Sequence, residues 1–325
     1  MGSKAFHYNE ITILKVIATF LITWFHFKWS VPEQYAIFFI GGAIGNSLFF
    51  YSSGYLLKFK DEKYKGEWLV KKYFRIMLPV YCFYVILLLY NLLSNTESNL
   101  SWYNFFYPTT YWFINAILCF FLVVYSIRIV NNNLRMEGKI YKMILFSIFI
   151  LYILNYIFFV ENHCAIIMDG GGVEVWFYFF LFFLWGLYDK QHSVKTNGNI
   201  TSLLKVLFTI GLFYLYKKIA VYNDWLTELQ VVLIPLLLAL ILQSFKELAS
   251  FFYRYKLSVP KQRILNFLSN LTLDIYIVQM FLINLLMPQI IFPYNVLIIM
   301  VIIVFAAYIN NKITSLISFY FNKAI

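Results

Sequence analysis

Lys15 and His26 share a polar stripe with Thr12, Thr19 and Thr23. The successive spacings are 3, 4, 4 and 3, which is one face of a helix. The two ionisable groups are close to three full turns apart, about 16 Å along the axis. A histidine in a half-dry setting acts as a general base at neutral pH. A cation on the same stripe would meet an anionic group or carboxylate. Each residue also has a plain reading, Lys15 as a snorkelling anchor and His26 as an interfacial histidine near Trp24 and Trp29. Sharing one stripe weighs against the plain readings.

A second constellation is Lys71-Lys72-Tyr73-Phe74-Arg75, followed by Pro79 and Tyr81. Lys72 and Arg75 are one helical turn apart and suit phosphate groups, although such clusters also serve as simple anchors at the inner leaflet. Arg75 is one of only 5 arginines beside 21 lysines, and it stands at the edge of an apolar run. Asp274 interrupts the apolar segment 271–276, where a carboxylate needs a partner or a proton. Lys15 is one candidate partner, and a structural hydrogen bond between helices is the alternative. Glu161, Asp169, Glu174, Asp224 and Glu228 sit at helix ends opposite the basic side. One of them would orient His26 or meet a sugar hydroxyl; as a group they read as solvated charges. His7, His163 and His192 read as loop residues, and the glycines at 170–172 as a turn. Cys82 and Cys119 lie in apolar runs and read as core residues, with Cys164 in a loop. No metal-ligand spacing is present, so no metal is expected.

These residues need elements to position them. Of 325 residues, 62% are hydrophobic, 22% aromatic and only 13% charged. Soluble chains carry about a quarter charged residues. The balance excludes a soluble globular enzyme, a disordered chain and a disulfide scaffold. Ten apolar stretches of roughly membrane-spanning length occur, at about 11–29, 35–57, 75–93, 112–130, 142–160, 173–188, 203–222, 225–245, 264–287 and 294–321. Inside lipid such stretches must be helices. With the N-terminus inside, 22 of the 26 basic residues fall on inner segments and 3 on outer ones, with Lys15 inside the first helix. The expected fold is therefore an all-α integral membrane protein of about ten helices with both termini cytoplasmic. Residues 1–325 read as one transmembrane domain, with no cleaved leader and no appended soluble domain. The net charge of +11 belongs to the inner leaflet, and no nucleic-acid partner is required.

The landmarks together resemble the acyltransferase-3 family of integral membrane acyltransferases. Lys15 followed by ten residues and His26 is similar to its basic-x10-His signature. Phe49-Phe50-Tyr51-Ser52-Ser53-Gly54-Tyr55-Leu56 is similar to its FF-x-x-SG-[FY]-L motif. Lys72-x-x-Arg75 with Pro79 and Tyr81 resembles RxxR-x3-P-x-Y, and Tyr111-Trp112-Phe113-Ile114 resembles WF-[LI]. Phe182-Phe183-Leu184-Trp185-Gly186 resembles FF-x-x-G. The segment from Ser269 through Thr272, Asp274 and Tyr276 to Gln279 resembles S-x-x-[ST]-L-x-IYL-x-H, with Gln279 where many relatives carry His.

The resemblance implies transfer of an acyl group, usually acetyl from cytoplasmic acetyl-CoA, to a hydroxyl on a surface or lipid-linked glycan at a bacterial cytoplasmic membrane. His26 would be the catalytic residue, as general base or acyl carrier. Lys15, Lys71, Lys72 and Arg75 would bind the donor. Asp274, Trp112, Glu174 and Tyr276 would support the site, with Trp112 placed to stack on a sugar. The partners implied are acyl-CoA, a glycan acceptor and the bilayer; oligomeric state is not specified. Read without the resemblance, the intramembrane Lys15, His26 and Asp274 suit equally a proton-coupled transporter or flippase for a lipid-linked glycan or small solute. No inverted repeat supports that alternative.

Overall fold

The apolar stretches become helices because a helix pairs its backbone N–H and C=O groups within itself. The computed structural model describes residues 9–57, 65–94, 111–130, 138–159, 173–255 and 257–324. Among the described residues there are helices and no strands. The principal helices are α1 (Glu10–His26), α2 (Gly42–Tyr55), α3 (Lys65–Ser94), α4 (Trp112–Val130), α5 (Gly138–Phe159) and α6 (Val173–Gln191). They continue as α7 (Thr201–Ala220), α8 (Gln230–Arg254), α9 (Val259–Asn270), α10 (Thr272–Leu286) and α11 (Tyr294–Ala324).

Each expected stretch holds a helix. Among the described residues, six segments are long and apolar enough to cross a membrane: Glu10–Trp29, Gly66–Ser94, Tyr141–Phe158, Gln230–Arg254, Thr272–Gln289 and Tyr294–Tyr320. Trp112–Ile127 is a shorter apolar helix. The 14 residues of α2 reach about 21 Å, well short of the hydrocarbon thickness.

The stretch expected as one helix over 264–287 is broken. Helix α9 ends at Asn270 and α10 begins at Thr272. The break changes the setting of Asp274, which was expected near the middle of a span. It stands instead in the first turn of α10. There the unpaired N–H groups and the helix dipole favour a carboxylate.

The chain packs as two compact units. The first comprises Met1–Ile22, Gly41–Leu57 and Asn133–Ser269. In it α2 packs along α6, α5 packs on α6, and α8 packs on α7 and α2. A Cβ added at Gly54 would lie 1.9 Å from the Phe183 carbonyl oxygen, and one at Gly186 would lie 2.0 Å from that of Tyr51. The glycines of both sequence motifs therefore let α2 and α6 touch backbone to backbone. Asp189 of α6 is buried, takes the Tyr51 hydroxyl at 2.8 Å and pairs with Lys246 of α8 at 2.5 Å. The Lys246 ammonium also lies 4.8 Å from the Trp185 ring centroid. Lys246, one of the basic residues counted on the inner segments, is itself buried and paired.

The second unit comprises Thr23–Ile40, Lys58–Asn132 and Asn270–Ile325. In it α10 pairs with α11, and α3 packs on α10, α11 and α4. Cys82 is buried as expected, whereas Cys119, also expected in the core, is exposed on α4. An apolar run predicts burial away from water, and lipid satisfies that requirement as well as a protein core does. Lys4, His7, Glu161, His163, Cys164, Asp169 and the glycines at 170–172 lie outside the described residues.

Candidate active site

The stripe on α1 is buried along its threonines and half-buried at its two ionisable ends. Thr12, Thr19 and Thr23 are each less than a tenth exposed. Within the first unit, the Lys15 ammonium donates to the Ser269 carbonyl oxygen at 2.6 Å. Ser269 is in the last turn of α9, where carbonyls lack helical partners and carry the negative end of the dipole. Lys15 therefore caps a helix end, a role that spacing on α1 does not announce.

His26 ends α1 within the second unit. Its ring meets the edge of Phe25 at 6.0 Å, and its nitrogens have no hydrogen-bond partner among the described residues. One turn earlier, the Thr23 hydroxyl donates to Gln279 Oε1 of α10 at 2.7 Å. The face of α1 that carries His26 is thus fastened to α10 by a buried polar contact.

Lys71, Lys72 and Arg75 lie in the first turns of α3. Lys71 is exposed and pairs with Glu67 at 3.0 Å, one turn back. Lys72 is half-buried, its ammonium 5.7 Å from the Trp68 ring centroid and 5.8 Å from that of Phe121. Arg75 is exposed. Phe121 also lines an apolar cavity of about 430 Å³ between α3 and α4, together with Tyr73, Met77, Asn115 and Cys119.

Asp274 is buried and held on both oxygens by α11. Asn310 donates to Oδ1 at 2.7 Å and Asn311 to Oδ2 at 2.8 Å. The Asn310 amide reaches the Pro79 carbonyl oxygen as well, at 3.2 Å. Asp274 thus joins α10 to α11, and Asn310 carries the connection on to the proline turn of α3. Asn310 and Asn311 lie inside the apolar run 294–321, and nothing in their spacing marks them as partners of Asp274.

A family model described as an acyltransferase domain matches residues 8–310. The chain belongs to the acyltransferase-3 family. No curated protein and no solved structure gave a match. The match takes in α1 with its stripe, the basic turns of α3, and α10. It makes the chain a membrane acyltransferase, and the transporter reading of the intramembrane polar groups gives way.

Other expected site residues of this acyltransferase-3 chain fall in separate places. In the second unit, Tyr276 is buried against Phe113 and Tyr111, with ring centroids at 5.2 and 6.0 Å. The Tyr111 hydroxyl donates to the Ile277 carbonyl oxygen at 2.7 Å. Trp112 is half-buried, its ring 6.3 Å from Phe113. Together they tie the start of α4 to α10. Glu174 opens α6 in the first unit, and its side chain lies outside the described residues.

Proposed function

We propose that this acyltransferase moves an acyl group, in the first instance acetyl, from cytoplasmic acyl-CoA to a hydroxyl of an extracytoplasmic or lipid-linked glycan. In this reading residues 1–325 form one domain of about ten crossings in a bacterial cytoplasmic membrane, with both termini inside. The observation that carries it is His26: a half-buried histidine whose ring nitrogens have no hydrogen-bond partner among the described residues, ending the signature helix of a family match that covers residues 8–310.

His26 takes the proton of the acceptor hydroxyl as that oxygen attacks the thioester carbonyl carbon. The carbon–sulfur bond breaks, and the imidazolium returns its proton to the CoA thiolate. If His26 instead carries the acyl group, its unprotonated nitrogen attacks the thioester carbon, the CoA thiolate leaves and takes the ring proton, and the acceptor oxygen then takes the acyl group while its own proton returns to the imidazole. Lys15, Lys71, Lys72 and Arg75 supply cations for the donor phosphates. Arg75 is best matched to them, because its exposed planar fork donates two parallel hydrogen bonds.

The test uses the full chain in detergent with radiolabelled acetyl-CoA. Wild type should bind the donor and release CoA. His26→Ala should lose CoA release while remaining folded; turnover retained in that variant overturns the assignment. Rapid acid quench separates the two courses, because only the carrier route leaves label on the protein.

A further inference from the structure

The Thr23–Gln279 contact has one satisfied end and one unsatisfied end. Gln279 is 1% exposed. Its Oε1 takes the Thr23 hydroxyl at 2.7 Å. Its Nε2 is buried and has no hydrogen-bond partner among the described residues. A buried amide N–H without an acceptor costs free energy, and the cost is greater where the surroundings are apolar. A leucine or methionine would fill the same volume of α10 without it. A bound ligand that brought an oxygen to this position would satisfy the two open N–H bonds.

The surroundings narrow what that oxygen belongs to. Thr23 and His26 are three residues apart on α1, neighbours on one helical face. The amide is docked on that face one turn from the imidazole. Because the threonine hydroxyl engages Oε1, the end of the amide left open is the donor end. A glutamine amide neither gains nor loses a proton near neutral pH, so it cannot serve as a second base. It can donate, and side-chain amides are among the groups that stabilise a carbonyl oxygen as it becomes negative.

We propose that Gln279 is a catalytic residue whose Nε2–H donates to the carbonyl oxygen of the acyl group being transferred, and that Thr23 positions it. The inference rests on the acyl-transfer reading of His26. When the acceptor oxygen bonds to the thioester carbon, the carbonyl π pair moves to oxygen and His26 receives the proton. Gln279 stabilises that charge. The pair then returns to re-form the carbonyl, the carbon–sulfur bond breaks, and the thiolate takes the proton from His26. A hydrogen bond strengthened only while the charge exists raises kcat and leaves donor binding little changed.

The probe is acetyl-CoA with water as acceptor, read as free thiol released by the full chain in detergent. Desulfo-CoA binding and thermal unfolding are measured in parallel. Gln279→Met should lower kcat by about 100-fold or more, on the scale of losing one oxyanion donor. Its KM and desulfo-CoA affinity should change less than threefold; the unfolding temperature is read beside them, because the substitution removes the unpaired amide and also the acceptor of the buried Thr23 hydroxyl. Thr23→Val should lower kcat by about tenfold, and should add nothing in the Gln279→Met background.

A Gln279→Met variant within threefold of wild-type kcat, with His26→Ala inactive, overturns this proposal and leaves the role of His26 standing. A lowered unfolding temperature with unchanged kcat does the same, and shows a packing residue. Wild type that releases no CoA overturns the acyl-CoA reading and this proposal together. Should Gln279→Met fail to fold, Thr23→Val decides: a kcat loss at unchanged unfolding temperature supports positioning, and unchanged kcat overturns it.

Discussion

At the scale of single residues, spacing identifies helical faces well and partners poorly. The 3, 4, 4, 3 stripe on α1 is real, and its threonines are buried. What each group touches depends on other helices. Lys15 finds the Ser269 carbonyl and Thr23 finds Gln279, from segments more than 250 residues away in the chain. Asp274 finds Asn310 and Asn311. The three basic residues of α3 differ for the same reason. Lys71 is engaged with Glu67, Lys72 rests against two rings, and Arg75 is exposed. Arg75→Ala should therefore weaken acetyl-CoA binding by about tenfold or more, the effect of a lost charge-assisted hydrogen bond. Lys71→Ala should weaken it less and change stability by less than about 1 kcal/mol, since its ion pair is exposed. Titration of the purified variants with acetyl-CoA compares the two. Equal losses would show that Lys71 leaves Glu67 to bind the donor.

At the scale of elements, several family-like residues prove to hold helices together. Gly54 and Gly186 belong to two motifs far apart in sequence, and each fits against the backbone beside the other. Gly54→Leu should cost about 3 kcal/mol or more, because the obstructing atom is a carbonyl and the helices must separate. Thermal unfolding in detergent measures it. An unfolding temperature unchanged from wild type would show that α2 and α6 do not need this approach. The break between α9 and α10 is the element-scale feature that hydropathy misses. The run 264–287 is long and apolar enough to pass for one helix, and no proline or glycine marks the interruption. Tertiary contacts supply what the interrupted backbone lacks, with Lys15 on the Ser269 carbonyl. Asp274 then occupies a helix start, where a carboxylate is favoured.

At the scale of the whole molecule, the Lys246–Asp189 pair is the group whose loss should be felt furthest. Asp189→Leu leaves an ammonium buried without its carboxylate, and should cost about 3–5 kcal/mol. The double variant Asp189→Leu with Lys246→Met should recover most of that loss, because both desolvated charges are gone. Unfolding curves for the single and double variants decide this; a single variant as stable as wild type would count against the pairing. The uneven distribution of Lys and Arg makes a separate prediction about topology. Reporter fusions at both termini should be active on the cytoplasmic side. A terminus found outside would overturn the proposed orientation and with it the side from which the donor arrives.

Composition, hydropathy length and the order of short motifs were enough to specify an all-helical membrane chain, its family and the helix that bears Lys15 and His26. Those properties are local: they depend on the solvent a segment needs and on which side chains share a helical face. The tertiary structure alone decided that Asp274 opens a helix, that Lys246 is buried and paired, that Cys119 is exposed, and that Gln279 is held by Thr23 with an unpaired N–H. Each of those outcomes depends on contacts between distant helices or on where the backbone breaks. A buried polar group is defined by the partner that reaches it, and that partner can lie anywhere in the chain.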